Sequence, residues 1–81
     1  MTELLPQADQ VLVAYGQTCV ALEPLIKVRM RELATGQVLQ VRCDDPTARL
    51  GVPAWSRLSG NSLLAVADEG EGRTSFFLRK K

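Results

Sequence analysis

The feature that most constrains the fold is a strand–helix–strand pattern in the first half of the chain. Residues 11–15 form a short apolar run, rich in β-branched residues, that ends at Gly16 and favours a strand covered on both faces. A helical stripe follows, and residues 37–43 then alternate as a strand with one buried face does. This order predicts a βαβ unit, whose crossover should be right-handed.

The first helix is predicted from an apolar stripe with a start and a stop signal. Pro24 suits the first helical position, and Gly36 suits the left-handed residue that ends a helix. We therefore expect Cys19 in the loop between the strand and this helix. The apolar positions of the stripe are Leu22, Leu25, Ile26, Met30 and Leu33.

The second helix is predicted to start at Asp45, as N-cap, with Pro46 at the first helical position. Gly51 and Pro53 lie inside this segment and predict a kinked or two-part helix. Residues 60–61 should close it. The apolar positions at helical spacing are Ala48, Val52, Trp55 and Leu58.

Two more strands are predicted at residues 62–67 and 73–79, joined in a hairpin by an acidic, glycine-rich turn at residues 68–72. The predicted fold class is therefore α/β, in the order βαβαββ. Since each helix has one apolar stripe, we expect a two-layer α/β sandwich with a four-stranded mixed sheet and two helices on one face. Residues 1–81 form one predicted domain, in which residues 1–9 are a loose lead-in.

Composition narrows the function. The net charge of +1 disfavours a protein that binds nucleic acid mainly by neutralising phosphates. The chain has no histidine, so it lacks the usual general base and the commonest metal ligand. Its two cysteines, Cys19 and Cys43, match no zinc pattern and are expected as thiols in a reducing cytoplasm. We recognise no signal peptide or membrane-spanning run, and we expect no cofactor.

Several motifs in order resemble the TusA/SirA sulfurtransferase family. The segment Gly16-Gln17-Thr18-Cys19, followed by Glu23-Pro24 and a helix, is similar to the family's G-x-x-C-P-x-P motif. Further matches are residues 36–41, 44–46, 52–55, 60–61 and 76–80. The cysteine motif is a variant, because Val20 stands where the family has proline. Two alignments are possible. The preferred one matches Gly16 to Cys19 and inserts two residues after it; the other aligns Pro24 without a gap and puts Ala21 at the cysteine position.

The resemblance implies a small sulfur carrier in which Cys19 is the catalytic thiol and holds sulfur as a persulfide. It implies a sulfur donor protein, such as a cysteine desulfurase or a rhodanese, and a downstream acceptor protein. No membrane or direct nucleic-acid partner is expected. A thiolate is the reactive form, and a nearby helix N-terminus lowers a thiol's pKa. Lys27, Arg29 and Arg31 are candidates for docking an acidic partner surface or for adding positive potential near the thiol.

Two alternatives remain at this point. The first is a non-catalytic interaction or regulatory module that keeps the fold without persulfide chemistry, which the variant motif favours. The second is a small RNA-binding domain, which the low net charge disfavours. Cys43 is interpreted as a packing residue, and Trp55, Phe76 and Phe77 are interpreted as core.

Overall fold

The computed structural model describes residues 6–81, apart from the side chain of Cys19, and it confirms the predicted order βαβαββ. The predicted lead-in lies partly outside this range. Asp9, at its end, is bonded to the sheet: its amide donates to the Val38 carbonyl, and its carboxylate accepts from the Val38 amide. The elements are β1 (Gln10–Ala14), α1 (Cys19–Glu32), β2 (Val38–Cys43), α2 (Ala48–Ser59), β3 (Ser62–Gly70) and β4 (Arg73–Arg79).

The four strands form one mixed sheet in the order β1-β2-β4-β3. β1 runs parallel to β2, and the other two pairs are antiparallel. Cys43 pairs with Ala14 on one side and with Thr74 on the other. One end of the sheet, which we call the Cys19 edge, therefore brings several features together. They are the C-terminal ends of β1 and β2, the starts of both helices and the β3–β4 turn.

The core lies between the sheet and the two helices. Leu12, Val41 and Phe76 stand side by side in the register of β1, β2 and β4, and all three are buried. Both helices contribute buried side chains to the same cluster, so both pack on this face of the sheet. Complete burial of one such aliphatic or aromatic side chain contributes about 1.5–3 kcal/mol. The helical members of the cluster are Leu22, Ile26, Met30, Ala48, Val52 and Trp55.

The start of α1 differs from the prediction. The helix begins at Cys19, five residues before Pro24, and Thr18 is its N-cap, with Oγ1 accepting from the Ala21 amide at 3.3 Å. The expectations of a loop position for Cys19 and of a start at Pro24 are therefore wrong. Burial of Leu22 ahead of the proline favours extending the helix back to Thr18. The helix also ends earlier than predicted, at Glu32.

The start and the continuity of α2 differ as well. Asp45 is not the N-cap: its carboxylate accepts from the amide (3.1 Å) and hydroxyl (2.9 Å) of Thr47, and the helix begins at Ala48. The helix is one element from Ala48 to Ser59, so the predicted division into two parts at Gly51 and Pro53 is wrong. Val52 and Trp55 are buried on either side of Pro53, so the core holds both halves of the helix.

Two predicted core residues lie at the margins of the helical stripes. Leu25 is 38% exposed and Leu58 is 88% exposed. At about 100° per residue, each lies roughly 90° from the centre of its buried stripe. The predictions for Trp55, Phe76 and Phe77 are confirmed, because all three are buried.

The hairpin is tighter than predicted. β3 continues to Gly70, so residues 68–70 belong to the strand and the turn shortens to Glu71 and Gly72. This places the carboxylates of Asp68 and Glu69 on the sheet rather than in a loop.

Candidate functional site

Cys19 is the first residue of α1 and lies at the Cys19 edge of the sheet. Only the four residues 15–18 separate it from the end of β1. A short connection of this kind places the cysteine at the N-terminus of a helix that is itself packed on the sheet. The backbone thus carries the residue on a rigid element rather than on a long loop.

The connection is anchored to the next strand. The Gly16 amide donates to Oδ1 of Asp44 at 2.8 Å, and Asp44 directly follows β2. Gly16 has φ +81°, a conformation that side chains larger than hydrogen rarely adopt. The Gln17 amide donates to the Ala14 carbonyl at 3.3 Å, which closes a tight turn. These bonds fix the path of the backbone up to the Thr18 cap.

The variant motif lies at the start of α1. No extra loop follows Cys19, because the helix begins at that residue; the predicted longer junction is therefore wrong. A residue that precedes proline is pushed out of the helical region of φ and ψ. With Val20 in place of proline, Cys19 is free to take helical backbone angles. Val20 is 82% exposed, so it contributes little to the core.

The charges at the Cys19 edge are mixed. The positive end of the α1 dipole favours a thiolate at its first residue, and the first turn contains no acidic residue. Asp44 and Asp45 follow β2 at the same edge and oppose this effect. Asp68 pairs with Arg49 at 3.5 Å; the Gly70 amide, and then Arg49, lower the pKa of Asp68.

A polar network crosses the face of the sheet opposite the helices. Glu69 accepts from the Tyr15 hydroxyl (3.1 Å), from Arg42 Nε (3.1 Å) and from the Ser75 hydroxyl. The Ser75 bond, and then Arg42, lower the pKa of Glu69 against the opposing effect of burial. The hydrogen bond between Arg42 and Glu69 in turn raises the pKa of Arg42. The guanidinium of Arg73 lies 4.7 Å from the centre of the Tyr15 ring.

The three predicted docking residues lie further along α1. Lys27, Arg29 and Arg31 follow Cys19 by 8, 10 and 12 positions, and a rise of about 1.5 Å per residue separates them from it by about 12–18 Å along the axis. This exceeds the Debye length of about 8 Å at physiological ionic strength. The spacing favours a docking role over an effect on the thiol. Arg29 also forms a long ion pair with Glu32, at 4.0 Å.

Cys43 is completely buried in the core, on the helix-facing side of β2, as predicted for a packing residue. A shallow cleft of about 350 Å³ opens between the helices, lined by Glu23, Lys27, Trp55, Leu58 and Ser59. It lies alongside α1 rather than at its first residue.

Within residues 6–81, leaving out the side chain of Cys19, no group of three or more His, Cys, Asp or Glu side chains is arranged to hold a metal ion. No helix in that part of the chain is long and apolar enough to cross a membrane. Tyr15, Asp44 and Glu69 were not among the site residues predicted from the sequence. The two bonds that tie Asp44 and Glu69 to the segment before Cys19 join residues 28 and 54 positions apart, and no local pattern indicates such pairs.

Comparisons of the sequence with known proteins identify the family. Residues 14–80 match the model of the family described as Sulfurtransferase TusA. The sulfur carrier protein TusA of Pseudomonas entomophila is 35% identical over 81 residues, which cover all of this chain and 98% of that protein. YrkI of Bacillus subtilis, provisionally named a sulfur carrier protein, is 38% identical over 65 residues, or 80% of this chain and 87% of that protein. The chain therefore belongs to the TusA sulfurtransferase family.

Proposed function

We propose that this protein is a sulfur carrier that holds sulfane sulfur as a persulfide on Cys19. The observation that carries the proposal is the position of Cys19 as the first residue of a sheet-packed helix, in a chain of the TusA family. A helix N-terminus stabilises the thiolate and, by the same electrostatics, an anionic persulfide. The names of its relatives as sulfur carriers support the same role.

The chemistry needs one thiolate and no cofactor. The Cys19 thiolate attacks the outer sulfur of a donor persulfide, R–S–SH; the donor S–S bond breaks and R–S⁻ leaves, while Cys19–S–SH forms. The new persulfide then gives its outer sulfur to an acceptor thiolate by the same exchange. Atoms and charge balance, and no external oxidant or reductant takes part. The absence of histidine from the sequence is consistent with this mechanism.

The partners are proteins. The donor is a cysteine desulfurase, a rhodanese or a related persulfide carrier, and the acceptor belongs to a thiolation or sulfur-oxidation pathway in the cytoplasm. Val20 and Leu50 lie in the first turns of the two helices and are exposed, so they provide apolar surface at the helix starts for contact with a partner protein. Lys27, Arg29 and Arg31 provide charge contacts to an acidic partner surface.

Mass spectrometry of the intact protein tests the proposal. The wild type, Cys19→Ala and Cys43→Ala are each incubated with a cysteine desulfurase and cysteine. We expect one added sulfur atom that a reductant removes, in the wild type and in Cys43→Ala but not in Cys19→Ala. Cys43→Ala is the matched control because it removes the other thiol of the chain.

One observation favours a second function. Val20 stands where the family motif has proline, and this leaves Cys19 free to take helical backbone angles. A protein that kept the fold as an interaction module would tolerate this change. If no sulfur is added to Cys19 with a desulfurase, a rhodanese or thiosulfate, the module is the better interpretation, and Cys19→Ala should then leave function intact.

The docking residues have their own test. Arg31→Glu, alone and with Lys27→Glu, should slow loading from the protein donor, and the loss should shrink at high salt because ions screen exposed charges. Arg57→Glu, in the last turn of α2, makes the same charge change on the other helix and serves as the control. Equal losses in Arg31→Glu and Arg57→Glu would mean that net charge, not this surface, sets the rate.

A further inference from the structure

Tyr15 and Glu69 join the two outer strands of the sheet. Tyr15 directly follows β1, and Glu69 lies on β3; these are the edge strands in the order β1-β2-β4-β3. Arg42 alternates with the buried Val41 and Cys43 and so lies on the face opposite the helices. The Tyr15–Glu69 bond of 3.1 Å therefore crosses β2 and β4 on that face.

The acceptor in this bridge is held in place. The Glu69 carboxylate accepts hydrogen bonds from Nε (3.1 Å) and Nη2 (3.3 Å) of Arg42 on β2 and from the hydroxyl of Ser75 on β4. Ser75, itself buried, accepts from Nε2 of Gln40 at 3.1 Å. The Glu69 side chain is only 20% exposed. Three strands thus orient one carboxylate toward the Tyr15 hydroxyl. Because the Glu69 side chain is already held by its other bonds, the bond to Tyr15 costs little further side-chain entropy.

Tyr15 begins the connection that ends at Cys19. Asp44, which directly follows β2, holds this connection through the Gly16 amide. Glu69 on β3 holds it through the Tyr15 hydroxyl, and the guanidinium of Arg73 on β4 lies against the Tyr15 ring. The Glu69 bridge thus bonds the segment before the thiol to a residue 54 positions further along the chain. Loss of the bridge leaves residues 15–18 with one side-chain anchor fewer before the Thr18 cap.

We propose that Tyr15 is a positioning residue for sulfur transfer: its bridge to Glu69 holds residues 15–18 in the conformation that presents Cys19 to a partner protein. This inference rests on the proposed function of Cys19 as the sulfur-bearing thiol. It assigns Tyr15 a role in docking geometry and none in the bond-making step. A small reagent, which needs no docking surface, should therefore react with Cys19 equally well with or without the bridge.

The experiment compares Tyr15→Phe, Glu69→Ala and their double variant with the wild type. Tyr15→Phe keeps the ring under Arg73 and removes only the hydroxyl. Asp68→Ala is the matched control, because Asp68 is the neighbouring carboxylate on β3 and pairs with Arg49 rather than with Tyr15. The initial rate of sulfur transfer from a persulfidated cysteine desulfurase is measured against carrier concentration, which gives kcat and KM separately.

Two thiol measurements separate positioning from loss of structure. Iodoacetamide labelling of Cys19 across pH reports the thiol's own reactivity. Labelling of the buried Cys43 reports opening of the core. A role confined to stability would speed Cys43 labelling and reduce transfer in proportion.

We expect Tyr15→Phe and Glu69→Ala each to raise KM about three- to tenfold, the range for the loss of one net hydrogen bond. The double variant should be no worse than the more affected single variant, and Asp68→Ala and both labelling rates should stay within twofold of the wild type. An unchanged KM in both single variants, an equal effect of Asp68→Ala, or a KM that rises only with Cys43 labelling would each overturn the inference. Failure of the wild type to take up sulfur would instead overturn the proposed function, and this role with it.

Discussion

The amide of Gly16 and the carboxylate of Asp44 lie 2.8 Å apart, and this bond ties the segment before Cys19 to the end of β2. The two residues are 28 positions apart in the sequence. They meet because β1 and β2 run parallel and end at the same edge of the sheet. Of this parallel pair, β1 leads to the cysteine, and β2 ends at Asp44, whose side chain fixes the path of the backbone between β1 and Cys19.

Removal of this bond should have a measurable but modest cost. Asp44→Ala takes away the acceptor, and we expect the free energy of unfolding to fall by about 0.5–1.5 kcal/mol in urea titration. Asp44→Asn keeps an oxygen in the same place and should lose less. If both variants unfold at the same urea concentration as the wild type, the bond contributes nothing to stability.

Restoring the proline after the cysteine should be tolerated. Val20 is the second helical residue, its side chain is exposed, and the Thr18 cap bonds the Ala21 amide rather than that of Val20. Proline fits the first turn of a helix, so Val20→Pro should fold and lose no more than about 1 kcal/mol, the typical value of the Thr18 cap that a later helix start would remove.

The same variant tests the link between motif and helix start. Because proline disfavours helical angles in the residue before it, α1 should begin one residue later in Val20→Pro. NMR chemical shifts of Cys19 should then change from helical to extended values. Helical shifts retained at Cys19 would show that the helix start does not depend on Val20. Ala21→Pro, which removes the amide that Thr18 caps, is the control and should be less stable than Val20→Pro.

Two apolar residues three positions apart on α2 should differ sharply in their effect on stability. Trp55 is 7% exposed and packs in the core, whereas Leu58 is exposed. We expect Trp55→Ala to cost about 3–5 kcal/mol and Leu58→Ala less than about 0.5 kcal/mol. Thermal and chemical unfolding of both variants check this. A large loss in Leu58→Ala would mean that this side chain is covered in solution, for example by a second protein molecule.

Stability in acid should depend on Glu69. The Ser75 hydroxyl and Arg42 lower its pKa in the folded state. A carboxyl whose folded pKa lies below its unfolded pKa stabilises the fold above the unfolded value, and this contribution is lost as pH falls through the folded value. We therefore expect Glu69→Gln to be less stable than the wild type near neutral pH, with a difference that shrinks in acid. Urea titrations of both proteins across this range measure it; a difference that is constant with pH would exclude the charge as its source.

The order of the elements follows from local patterns alone. The alternation over residues 37–43 specified β2 and its buried face, because each side chain's face depends only on its position along the strand. Several short motifs in order, from residues 16–19 to residues 76–80, indicated the family, and the match of Gly16 to Cys19 indicated the candidate thiol. The absence of histidine and the near-zero net charge disfavoured hydrolytic enzymes and nucleic-acid binders on composition alone.

The start of α1 could not be read from the same patterns. Pro24 is a strong local start signal, yet it lies inside the helix, because burial of Leu22 and the Thr18 cap outweigh it. Likewise, Glu69 has turn-like neighbours in the sequence, but the sheet continues through it. In both places a tertiary contact overrides a local preference of about 1–3 kcal/mol.

The sequence by itself determined the order of strands and helices, the core face of β2 and the identity of the candidate thiol. Only the tertiary structure decided that Cys19 is the first residue of a helix and that Asp44 and Glu69 bond to the segment before it, at Gly16 and Tyr15. The physical reason is that periodicity and caps act between neighbours in the chain. The partners of Gly16 and Tyr15 are set instead by the order and register of four strands, which form only when the whole core is buried.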